Sequence, residues 1–203
     1  MDDKEYLNQL SSTVRPEKKP KMSFMSSLYF KIIAGGVIGF ILLAILGSIL
    51  GNKGNVKSQL IALKLHLDNT SSVVSNYQKS VKSSDLRSTS ASLYSVLTNT
   101  SRDVNDYITA KFGSKGSTPE KNVAERATQE KDGLEAELME AKINGLLDRV
   151  FTMKMKYEVS TFMAEEADIH NTTGDNKLRE ILDSSYSSLE NLYNKLDSFS
   201  ETK

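Results

Sequence analysis

The stretch VKSQLIALKLHLDNTSSVVSNYQKSV, residues 56–81, decides the fold of this chain. Leu60, Leu63, Leu67, Val74, Tyr77 and Val81 fall at alternating three- and four-residue steps, with a single polar gap at Thr70. Successive helical residues turn by about 100°, so this spacing places all six on one face of a helix of about 27 residues. An apolar stripe on an otherwise polar helix has to be covered, and the rest of the chain supplies covers of the same kind.

Downstream, Ser83-Ser84 offers a cap, and Leu86, Leu93, Leu97, Val104 and Ile108 repeat the heptad-like order up to Phe112-Gly113. Between Ser83 and Ser101, serine, threonine and asparagine occupy eleven positions. These residues compete with the backbone for hydrogen bonds, so this helix must lean on packing rather than propensity. Gly113 to Ser117 reads as a loop. Thr118-Pro119 then gives a start signal, a cap followed by proline at the first helical position.

The third helix carries Val123, Ala127, Leu134, Leu138 and Ala141 on one side and many Glu and Lys on the other. A helix continuing from Pro119 to His170 would far outrun its neighbours, and Asn144-Gly145 is the natural break. The fourth helix, about Leu146 to Ile169, is the most apolar, with Val150, Phe151, Met153, Met155, Tyr157, Val159, Phe162 and Met163, and is expected to be the most buried. Thr172 to Asn176 turn the chain into a fifth helix using Leu178, Ile181, Leu182, Leu189, Leu192, Tyr193 and Leu196. No strand-like alternation competes. The expectation is an all-α, antiparallel helical bundle of four to five helices with coiled-coil-like seams over residues 53–203.

Upstream, the pattern changes character. Ile32 to Asn52 carry no charge, and IIAGGVIGFILLAILGSIL (32–50) holds only glycine, serine and apolar side chains. At 1.5 Å per residue this run is about 29 Å long, the thickness of a bilayer's hydrocarbon core. A cleavable signal peptide has a shorter apolar region, of about 7–15 residues, and small residues before its cut. Ile49-Leu50-Gly51 offers a poor match, and a 31-residue polar leader precedes the run. The expectation is a retained single-pass signal-anchor over residues 32–52.

Flanking charge orients it. Arg15, Lys18, Lys19, Lys21 and Lys31 precede the span, whereas Lys53, Lys57 and Lys64 follow it. The bias places the N-terminus inside and the bundle outside. Residues 1–31, with two prolines and mixed charge, read as a flexible cytoplasmic tail. Its role is chiefly to set topology, although Lys18, Lys19 and Lys21 are placed to touch anionic headgroups. Gly35-x-x-x-Gly39 and Gly47-x-x-x-Gly51 put small residues one turn apart, where two copies of the span can approach closely, a route to a homo-oligomer.

The chain has as many Lys and Arg as Asp and Glu, 26 of each, and no cysteine. Disulfides, thiolate zinc and thiol catalysis are excluded. Residues 1–31 carry a net charge of +2 and the remainder −2, far from the basic field of a nucleic-acid binder. No cofactor is called for.

Within residues 144–196, Gly145-Leu146-Leu147-Asp148-Arg149-Val150-Phe151 is similar to a glycine followed by a Phe-Asp-basic-x-Tyr motif, with Leu147 for Phe and Phe151 for Tyr. Leu178 to Ile181 stands where that motif set has a Leu-x-x-Phe start, with Ile181 for Phe, and Tyr186 to Leu192 stands at a Leu-Pro-x-Leu-x-x-His segment. On these residues the chain resembles a bacterial family of extracytoplasmic ferritin-like four-helix domains of unknown function, often labelled "predicted outer membrane protein". The resemblance implies a bundle fold and an anchored, extracytoplasmic setting. It implies no metal role here, because Leu192 stands at the family's histidine position and Ser187 at its proline.

Chemistry-bearing residues are few. His66 lies off the apolar seam of the first helix, the place of a solvated or interfacial histidine. His170 ends the fourth helix, where a cation suits the helix dipole. Glu166 lies one turn earlier on the same face, so Glu166 and His170 are the candidate metal ligands, although complete sites need three or four. Glu135, Glu137 and Glu140 with Lys131 and Lys142 read as a solvated charged face. Asn69, Asn99 and Asn171 head Asn-x-Ser/Thr triplets, which chance explains in so polar a chain. No nucleophile, phosphate-loop or dinucleotide motif appears.

The expected protein is a non-enzymatic, single-pass membrane protein. Its extracytoplasmic bundle serves binding or envelope-structural roles with a protein partner. An alternative is a ligand-sensing bundle signalling through a partner, as in chemoreceptors. A ferritin-like metal binder is the third.

Overall fold

The computed structural model describes residues 55–201, and every regular element among them is helical. Helix α1 spans Val56–Tyr77 and runs into a 3-10 turn at Gln78–Ser80. Helix α2 spans Ser84–Phe112 and is followed by a second 3-10 turn, Ser114–Ser117. Helices α3 (Lys121–Ile143), α4 (Leu147–Thr172) and α5 (Asn176–Glu201) complete the chain. The all-α bundle is as expected. The tail (1–31), the span (32–52) and Gly35, Gly39, Gly47 and Gly51 lie outside the described residues. Among the described residues no helix is long and apolar enough to cross a membrane.

Local chemistry sets the boundaries. Asn55 Oδ1 accepts from Lys57 N at 3.2 Å and opens α1. This helix has 22 residues, shorter than its apolar pattern implied, because the last turn tightens into the 3-10 segment and Val81 is extended. Val81 still buries its side chain, so the stripe outlives the helix. Ser83 Oγ accepts from Leu86 N at 3.3 Å, the cap expected for α2. The many hydroxyls of α2 turn back on the backbone: Ser90 donates to Leu86 O at 2.6 Å and Thr98 to Tyr94 O at 2.8 Å.

Two expectations about α3 are corrected. The helix starts at Lys121, not at Pro119, and Glu120 caps it without a side-chain bond. Thr118 is extended at φ −79° and ψ 120°, as proline favours in the residue before it, and Glu120 is extended too, at φ −64° and ψ 148°, so the helical geometry sets in only at Lys121. At the other end Gly145 has φ +72°. Leu146 N donates to Ala141 O at 2.8 Å and Gly145 N to Lys142 O at 3.3 Å, the paired closure of a Schellman motif.

Polar contacts give the helix directions. Asn69 donates to Ala127 O, and Tyr77 to Glu135 O, so α1 and α3 run parallel. Gln59 meets Asp168 while His66 meets Glu158, so α1 and α4 are antiparallel. Lys111 meets Asp175 and Thr100 meets Ser185, which makes α2 and α5 antiparallel as well. Helices α1, α2, α5 and α4 therefore close a ring of antiparallel neighbours around one core. Helix α3 packs on α1 and α4 from outside that ring and carries the chain from the end of α2 to the start of α4.

The core fills this ring. Leu60, Leu63 and Leu67 of α1, Leu93 and Leu97 of α2, Phe151 and Phe162 of α4, and Leu182, Leu189 and Leu196 of α5 are buried in one cluster. Leu134 and Leu138 bring α3 into it. In α4 the apolar count overstated burial: Met153 is exposed and Val150 and Met163 are half-buried.

Candidate functional site

A belt of polar side chains crosses the middle of this apolar ring. On the α1–α4 side, His66 lies between two carboxylates of α4. Its Nε2 is 2.8 Å from Glu158 Oε2, and its Nδ1 is 3.3 Å from both oxygens of Glu165. Glu158, Phe162 and Glu165 are spaced by four and three residues, so all three face α1. The Phe162 ring packs on the imidazole at 4.3 Å between centroids, tilted 46°. Burial alone would lower the His66 pKa, but the hydrogen bonds to Glu158 and Glu165 overcome it and raise it to about 10. His66 is thus an imidazolium at neutral pH, donating from both nitrogens.

Beside this cluster a cavity of about 30 Å³ is bounded by His66, Asn69, Glu130, Lys131, Leu134 and Glu158, where α3 covers the α1–α4 seam. It has room for a water molecule among polar partners.

The opposite side of the belt is drier. Glu166 of α4 is 1% exposed, and Ser185 of α5 donates to its Oε1 at 2.6 Å. Thr100 of α2 lies 2.8 Å from Ser185 Oγ. Either hydroxyl can donate in that pair. Burial raises the Glu166 pKa to about 8, Ser185 lowers it in part, and the like charge of Glu165 adds to the rise. Glu166 is therefore a neutral carboxylic acid near pH 7. Its Oε2 is buried without a partner.

Adjacent residues join the two sides. Ser101, next to Thr100, bonds Asp68 of α1, and Glu165 and Glu166 are consecutive on α4. All four ring helices are tied at one level. Outside Thr100 and Ser185, α2 and α5 border an open groove of about 520 Å³ whose walls include Arg102, Asp103, Lys177 and Glu180.

A second polar knot closes the base of the bundle. Asp175 accepts from Lys177 N at 3.0 Å and Leu178 N at 3.3 Å, capping α5, and pairs with Lys111 of α2 at 3.0 Å. The Lys111 bond, helped by Tyr107, lowers the Asp175 pKa to about 2. At the other end Asp148, the acid of the Gly145–Phe151 motif, accepts from Lys82 N at 2.9 Å and Ser83 N at 2.8 Å. There the motif acts as packing hardware, pinning the α1–α2 connection to the first turn of α4.

The candidate metal ligands engage different partners. Glu166 is committed to Ser185 in the core, whereas His170 Nε2 is 3.3 Å from Asp183 Oδ1 on the flank of α5. Among the described residues no group of three or more His, Asp or Glu is arranged to hold a metal ion. Leu192 is buried and Ser187 exposed. Glu135 and Glu137 are partly spent on interhelix contacts, to Asn76 and Lys154 respectively. Asn69, Asn99 and Asn171 all lie within helices, and the Asn69 amide is already bonded to Ala127 O.

No family model, curated protein or solved structure matches this chain. Sequence reasoning missed the belt. Glu158, Phe162 and Glu165 share one helical face, which was a readable signal. Nothing in the sequence pointed from His66 across 92 residues to Glu158.

Proposed function

We propose that this protein is a single-pass membrane protein whose helical bundle works outside the cytoplasm as a non-enzymatic binding or envelope-structural module. One observation carries the reading. The uncharged run 32–52 is long enough to span a bilayer, and α1 begins at Val56 after only a few further residues. The lysine and arginine bias supports an inside N-terminus. The resemblance of residues 144–196 to extracytoplasmic ferritin-like bundles agrees with that setting. The internal polar groups support a structural role, since His66, Glu158 and Glu165 join α1 to α4, Asp148 ties the α1–α2 connection to α4, and Asp175 joins the start of α5 to α2.

Protease treatment of intact cells and of spheroplasts tests the topology. Cleavage within residues 53–203 in spheroplasts is expected, and full protection there overturns it. Capture of membrane partners with the 53–203 bundle as bait tests the binding role.

A ligand-sensing bundle is the second reading, and the α2–α5 groove is the observation that favours it. Its walls carry both signs of charge, which suits a small zwitterionic or polar ligand. A ligand-dependent rise in melting temperature distinguishes this reading from the first. Metal analysis of the purified protein tests a ferritin-like role, for which Glu166 and His170 are the candidate ligands.

A further inference from the structure

Helix α4 carries more apolar side chains than the core takes. Leu147, Phe151, Met155 and Phe162 are buried on one side of it. Leu146, Val150, Met153 and Tyr157 follow at steps of four, three and four residues, and turning by about 100° per residue places them on the side facing away from that core. Leu146 is 53% exposed and Met153 58%. At the end of α3, Ile143 is 77% exposed and Met139 50%. Glu137 of α3 pairs with Lys154 of α4, so Met139 lies level with Met153 across the hairpin. Among the described residues six large apolar or aromatic side chains are exposed, and four of them fall within residues 139–153. One such side chain is ordinary on a protein surface, whereas a cluster marks a contact.

Charges of both signs border this face. Glu140 of α3 and Arg149 of α4 are exposed, and neither side chain has an ion or hydrogen-bond partner among the described residues. Residues 137–154 carry three acidic and three basic side chains, so the face has no net attraction for an anionic bilayer surface.

We propose that the outer face of the α3–α4 hairpin is the contact between two copies of this chain, related by a two-fold axis along the α3–α4 seam. Such an axis lays α3 of each copy antiparallel on α4 of the other, as helices pack within a bundle. Met139 of each copy then meets Met153 of the other, and Glu140 meets Arg149 of the other. The heptad-like stripe of α4 suits knobs-into-holes packing. A second copy answers both free charges at once, whereas a purely acidic or purely basic partner answers one and repels the other. The same axis starts both copies of α1 at one end, as two chains anchored in one bilayer require; that point alone rests on the membrane reading.

Crosslinking of the full chain tests the contact. The chain has no cysteine, so introduced thiols are its only ones. Two differently tagged chains, one Met139→Cys and the other Met153→Cys, are expressed together and oxidised. The mixed dimer is expected severalfold above that from Met139→Cys with Ser187→Cys, an exposed position on α5. Glu140→Arg in both chains is expected to cut the mixed dimer about tenfold by setting like charges together. Adding Arg149→Glu to the same chains restores it. All these positions are exposed, and melting temperatures check that the variants fold. Association through residues 32–52 alone links the hairpin and α5 positions equally and ignores the charge swap, so failure here is distinct from failure of the membrane reading. Equal yields at the two positions, a swap that restores nothing, a thiol linked to a different protein, or a thiol shielded by lipid overturns the proposal.

Discussion

At the residue scale, His66 shows how a polar group becomes structural. It is partly open to solvent, with its side chain 22% exposed, yet both nitrogens are held by carboxylates from another helix. His66→Ala leaves Glu158 and Glu165 beside each other without a counter-charge. Removing one partner of a buried pair costs about 3–5 kcal/mol, and partial exposure brings the expected loss here to about 2 kcal/mol. Urea unfolding of wild type and variant measures it, and equal midpoints would show that the pairing contributes nothing.

The same residue, with Glu166, sets the pH dependence. The His66 pKa is raised from 6.5 to about 10 in the fold, so its contribution is complete below pH 6.5 and is lost as pH rises toward 10. The Glu166 pKa is raised from 4.5 to about 8, so ionisation of the unfolded chain erodes stability between those values. Both folded-state groups retain protons that the unfolded chain releases. Stability should therefore fall from about pH 5 to about pH 9, with midpoints in urea moving steadily downward. A maximum at alkaline pH would contradict this assignment. Leu60 and Leu63 were legible as core from spacing alone, whereas His66 was legible only as off the seam, because its partners are distant in sequence.

At the scale of elements, the turn between α3 and α4 is the most locally determined. Asn144-Gly145 ends α3 because glycine adopts φ +72° without steric cost while the Schellman bonds close the helix. A Cβ at Gly145 meets no neighbour within 4 Å, so Gly145→Ala is strained by its backbone conformation alone. The expected cost is about 1–2 kcal/mol, and thermal unfolding measures it. A variant as stable as the wild type would place the turn in another conformation. Proline proved the less informative marker. Pro119 signalled a helix start, but Glu120 is still extended, at φ −64° and ψ 148°, and the start falls at Lys121.

At the scale of the whole molecule, four helices form the ring and α3 straps one side. Only Leu134, Leu138 and Ala141 of α3 are buried, all in its C-terminal half. The half from Lys121 to Gly133 makes its main polar tie through Asn69 to Ala127 O. Hydrogen exchange should therefore open residues 121–133 before any segment of the ring, as regions with little buried contact do. Protection there equal to that of α4 would mean that the strap is integral to the ring.

The sequence by itself determined the number and type of the helices, most of their ends and most of the buried apolar positions. These follow from periodicity, caps and turn residues, which act within one or two helical turns. Only the tertiary structure decided which helices are neighbours, that α3 lies outside the ring, and that Thr100, Ser185 and Glu166 meet. The apolar stripes specify that each helix is covered but not by which partner, since leucine packs against any leucine. A hydrogen bond needs its partner within about 3 Å in a set direction, and that requirement is met only when all four helices are in place.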